Sequence, residues 1–65
     1  MTLSRTEAVD YCQTLLAHFP ERLSEWEDTF VRSVLLQLRD GASPTEKQGA
    51  VLDRIMDRVA QQHGR

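Results

Sequence analysis

Apolar residues recur at three- and four-residue steps through three stretches of this chain, and Ser, Gly and Pro stand between the stretches. That period belongs to the amphipathic α-helix. In the first stretch Ala8, Cys12, Leu15, Leu16 and Phe19 share one face with Val9 at its border, opposite Asp10, Gln13, Thr14 and Ala17. In the second, Leu23, Phe30, Val31, Val34 and Leu38 form the stripe, with Trp26 and Leu35 at its margins. The third buries Val51, Leu52, Ile55, Met56 and Val59.

A start signature precedes each stretch: Ser4-x-x-Glu7, Ser24-x-x-Glu27 and Ser43-Pro44-x-Glu46. In such a box the Ser hydroxyl accepts the backbone N–H three residues on, and the Glu reaches back to the Ser N–H. Leu3 is placed to staple onto Ala8. Pro20 stops the first helix, Gly41 lets the second leave through a left-handed residue, and Pro44 at the first helical position starts the third. The pattern predicts helices over about 5–18, 25–39 and 44–61, joined as a small all-α three-helix bundle in a single helical domain spanning 1–65. Helix two is expected to be its central element.

At 65 residues the core is near the lower limit for independent folding, so pairing with another protein or a second copy of the chain enters the picture. Eight Lys and Arg against ten Asp and Glu leave a formal charge of −2, without a polybasic stretch. Nonspecific attraction to phosphate is disfavoured. Cys12 is the single cysteine, so no intramolecular disulfide forms and a reducing compartment is expected. The polar N-terminus lacks a signal-peptide pattern and no segment reaches membrane-spanning length, which points to the cytoplasm.

Candidate chemistry is sparse. Cys12 lies on the core stripe, away from a cation or helix start that would activate its thiol. Tyr11 and His18 share the edge of that stripe and can pair with each other or a partner, although a His at a helix C-terminus first complements the dipole. Glu25, Glu27 and Asp28 crowd the start of helix two, where they answer the macrodipole, and Asp28 can pair with Arg32. Nothing resembles the paired carboxylates of a hydrolase. No catalytic, metal-binding or cofactor-binding residues emerge, so the chain is read as a binding protein and not an enzyme. Lys47, Asp53, Arg54, Asp57 and Arg58 alternate in sign on the outer face of helix three, with Arg54 and Asp57 close enough to pair.

Two positions depart from the pattern. Leu36 projects from the polar face of helix two beside Arg32 and Arg39; with Trp26 these residues are the candidate surface for a protein partner. Gln48 sits in the apolar stripe of helix three, where it is expected to hydrogen-bond carbonyls at the end of helix two or in the connector. Its alternative role is recognition. A helix-turn-helix outline would bring Thr45, Lys47 and Gln48 toward base edges, against the wrong-sign charge of Glu46 and the acidic start of helix two. A third reading presents Glu25, Glu27 and Asp28 as a nucleic-acid mimic on another protein.

Leu23-Ser24-Glu25-Trp26-Glu27 with Phe30, Ser33, Gly41, Thr45-Glu46-Lys47-Gln48, Leu52 and Ile55 forms the pattern LSxWExxFxxS, a Gly, then TxKQxxxLxxI. This resembles short helical modules encoded by phages and other mobile elements, often beside DNA replication and recombination functions. The resemblance covers about Leu23 to Val59 and implies a genomic context without a catalytic residue.

Overall fold

The computed structural model describes residues 3–63. Helices α1 (Arg5–His18), α2 (Glu25–Arg39) and α3 (Glu46–His63) make a small all-α three-helix bundle, with no strand among the described residues. The first two start as their sequence signatures require. Ser4 Oγ accepts the Glu7 N–H at 3.1 Å while Glu7 Oε1 accepts the Ser4 N–H at 3.0 Å. Ser24 and Glu27 repeat the exchange at 3.1 and 2.8 Å.

Beyond α1, Pro20–Arg22 forms a single 3-10 turn. Leu23, assigned by periodicity to the stripe of helix two, is extended and half-buried just before the Ser24 cap. It packs onto the core from the connection rather than from the helix. At the far end of α2 the Gly41 N–H donates to Leu38 O at 3.1 Å and the Ala42 N–H to Gln37 O at 3.2 Å. These two bonds make a Schellman ending, and Gly41 at φ 99° supplies its left-handed residue.

Helix three departs from expectation at its start. Its cap is Thr45, two residues later than predicted: Thr45 Oγ1 accepts the Gln48 N–H at 3.0 Å, and Gln48 Oε1 accepts the Thr45 N–H at 3.0 Å. Pro44, expected inside the helix, precedes the cap and is buried. Two residues left extended reach about 4 Å farther than two wound into a helix, which lengthens the span available between α2 and α3.

Among the described residues each helix contributes three buried hydrophobic side chains to one core: Ala8, Cys12 and Leu15; Val31, Val34 and Leu38; Leu52, Ile55 and Val59. Phe30, the other expected residues Leu16, Phe19, Val51 and Met56, and the margin residue Leu35 pack around them half-buried. The central element is α1, not α2 as the pattern suggested, because α1 packs broadly on both partners while α2 and α3 meet over a narrower front. Ala8 and Cys12 are small, and small contact residues allow helix axes to approach closely. Leu3, expected to staple onto Ala8, lies across Gly49 of α3, where an added Cβ would sit 3.3 Å from the Leu3 nitrogen. Arg5 closes another seam by donating from Nε and Nη2 to Leu38 O at 3.2 and 2.8 Å, a second donor to the carbonyl that the Gly41 N–H already reaches at the end of α2.

Candidate functional site

The phase that buries Val31, Val34 and Leu38 turns Leu36 outward, and Leu36 and Trp26 are exposed at 65% and 63%. Leu36 is one wall of a shallow groove between α1 and α2, lined by Leu16, Arg32, Leu35, Leu36 and Arg39. Its volume of about 190 Å³ lies below the range typical of small-molecule pockets and matches a recess for one anchoring side chain. Three of the four partner-binding residues expected from sequence, Arg32, Leu36 and Arg39, therefore meet in one place. Trp26 does not join them. It lies about 15 Å away along the α2 axis, where its ring stacks on Phe30 with centroids 5.2 Å apart and planes at 11°.

Leu16 is the groove residue that periodicity assigned to the core stripe. No local signal marks it, because the groove exists only where α1 lies against α2. Arg32 Nε donates to Asp28 Oδ1 at 2.9 Å, the pairing expected from their spacing. With the two side chains 67% and 41% exposed, water screens the pair and its contribution to stability is small. Arg39 stands in the last turn of α2, where its charge complements the negative end of the helix dipole.

The acidic start of α2 is more engaged than its composition suggests. Glu27 Oε1 accepts the Ser24 N–H and, at 2.5 Å, Nη2 of Arg58. Arg58 also donates to Arg22 O at 3.1 Å. Expected on the solvated face of α3, Arg58 instead reaches across to tie the 3-10 turn and the α2 cap to α3. Burial pushes the Glu27 carboxyl upward, but the Ser24 N–H, the Arg58 hydrogen bond and the Arg58 charge outweigh it and hold the group below its ordinary value. With Asp28 on Arg32, two of the three carboxylates proposed for nucleic-acid mimicry are already paired. Asp57, expected near Arg54, accepts from Gln61 Nε2 at 3.4 Å.

At the start of α3, Gln48 uses its Oε1 in the cap and donates from Nε2 to Gln37 Oε1 of α2 at 3.0 Å. The expected lock between helices two and three exists, though its α2 acceptor is a side-chain amide and not a backbone carbonyl. Of the candidate base-contacting residues, Thr45 and Gln48 thus hold the helix start, and Lys47 is exposed beside Glu46.

Cys12 is fully buried, and desolvation pushes its thiol up to about 11. A thiol so placed stays protonated and unreactive at neutral pH. His18 stands edge-on to Phe19, with ring centroids 6.3 Å apart. Among the described residues no group of His, Cys, Asp and Glu is arranged to hold a metal ion, and no helix is long and apolar enough to cross a membrane. Comparison with protein-family models, curated proteins and solved structures found no match.

Proposed function

We propose that this chain is a non-enzymatic protein-interaction module of the kind carried by phages and other mobile elements, acting in the cytoplasm to regulate or inhibit another protein or a nucleic-acid machine. One observation carries the reading: Leu36 stands exposed on the wall of an apolar groove with Arg32 and Arg39 at its edges. Buried apolar anchors supply most of the energy of protein contacts, while charges at the rim tune encounter and specificity. The resemblance of the Leu23 to Val59 pattern to mobile-element modules supports the context, and the solitary cysteine supports a reducing compartment.

The test places a photo-crosslinking amino acid at position 36 in one variant and at position 47 in another, in cells that express the chain. Protein adducts from position 36 that disappear on Arg39→Glu support the reading. Nucleic-acid adducts from position 47 in their absence would sink it and favour the helix-turn-helix alternative.

A further inference from the structure

One outward stripe of α2 holds both Trp26 and Leu36. Trp26, Thr29, Ser33 and Leu36 follow one another at alternating three- and four-residue steps, and all four are exposed. The spacing places them on one outward stripe of the helix, apolar at Trp26 and Leu36 and short-chained between them. Val31, Val34 and Leu38 use a different face of α2 for the core. Trp26 and Leu36, the exposed large apolar residues among those described, are equidistant along the helix from Val31.

Resting on the reading of the α2 face as an interaction surface, we propose that its occupant is a second copy of this chain, with the two α2 helices antiparallel about a two-fold axis near Val31. In that arrangement Trp26 packs on the partner's Leu36 at the mouth of the groove, and Leu36 on the partner's Trp26. A two-fold interface is built in this self-complementary way. Thr29 and Ser33 meet near the middle, where short side chains let the helix axes come close.

Charge selects the antiparallel direction. The first turn of α2 holds Glu25, Glu27 and Asp28, whereas its later turns hold Arg32 and Arg39. Antiparallel pairing brings Glu25 within a turn of the partner's Arg39 and sets the positive end of each helix dipole beside the negative end of the other. Parallel pairing would place like charges together at both ends. A single pair of helices about 22 Å long covers less than the roughly 800 Å² per partner of a standard interface. The dimer is accordingly at the weak, transient end of protein contacts.

Sedimentation equilibrium of the intact chain from about 10 μM to about 1 mM tests the proposal. Wild type is expected to pass from monomer to dimer across that range. Leu36→Asp and Trp26→Ser are each expected to weaken association about tenfold or more, with the far-UV circular dichroism of the folded chain retained because both residues are exposed. Glu25→Arg and Arg39→Glu are each expected to weaken it about threefold, and the double variant to restore it.

A wild-type chain that remains monomeric throughout overturns the homodimer and leaves the interaction reading to cross-linking at position 36. A dimer indifferent to Leu36→Asp and Trp26→Ser overturns the proposed seam, which then lies on another face, and again leaves the interaction reading to cross-linking at position 36. A dimer sensitive to those variants but not restored by the double charge reversal overturns the antiparallel arrangement.

Discussion

Replacing Arg58 with Met keeps much of the aliphatic stem and removes the guanidinium that joins α3 to the 3-10 turn and the α2 cap. Among the contacts that go are the 2.5 Å bond to Glu27 and the 3.1 Å bond to Arg22 O. A hydrogen bond to a charged group contributes about 1.5–3 kcal/mol when desolvated. The Arg58 side chain is 39% exposed and Glu27 17%, so water recovers part of that and about 1 kcal/mol remains. The carbonyl bond adds about 0.5 kcal/mol. A loss of about 1.5 kcal/mol in a domain this small lowers Tm by about 6–12 °C. Arg32→Met, which breaks the more exposed pair with Asp28, is expected to cost under about 0.5 kcal/mol.

Acid should close the gap between wild type and Arg58→Met. Glu27 titrates below its ordinary value in the folded chain. The stability it contributes is therefore full above the unfolded carboxyl pKa of about 4.3 and lost as pH falls through the folded value. The Ser24 N–H still favours the carboxylate in the variant, whereas the two contributions from Arg58 are gone. Thermal melts followed by circular dichroism at pH 7 and at about pH 3 read both effects. Equal melting temperatures at pH 7, or a gap that does not shrink in acid, would refute the argument.

Three further substitutions or reactions probe separate features. Gln48→Ala removes the side-chain half of the α3 cap and the bond to Gln37, leaving the Thr45 hydroxyl on the backbone N–H; denaturant unfolding is expected to show a loss of about 1 kcal/mol. Gly41→Ala meets no atom within 4 Å, yet its φ of +99° is unfavourable for any side chain, so stability should fall by about 1 kcal/mol with the helical circular dichroism unchanged. A thiol-specific reagent at pH 8 should leave Cys12 untouched in the folded chain and modify it rapidly in denaturant, because burial alone raises the thiol to about 11. Fast modification of the native chain would show that the core opens around α1.

The sequence by itself determined the three helices and the caps of α1 and α2, because hydroxyl, carboxylate and backbone N–H lie within four residues of one another at each start. The nine core positions were all legible from helical period, as was the exposure of Leu36, since both follow from phase along a single helix. The Thr45 and Gln48 box was readable by the same rule, but Ser43-Pro44-x-Glu46 competed with it two residues earlier. Local chemistry permits either start, and in the folded chain Gln48 also reaches Gln37 of α2 from the later one. Only the tertiary structure made α1 the central helix, carried Arg58 to Glu27 and Arg5 to Leu38, and brought Leu16 beside Leu36. These are contacts between residues far apart in the chain, and they depend on how closely small side chains allow the helices to pack, which no periodicity within one helix encodes.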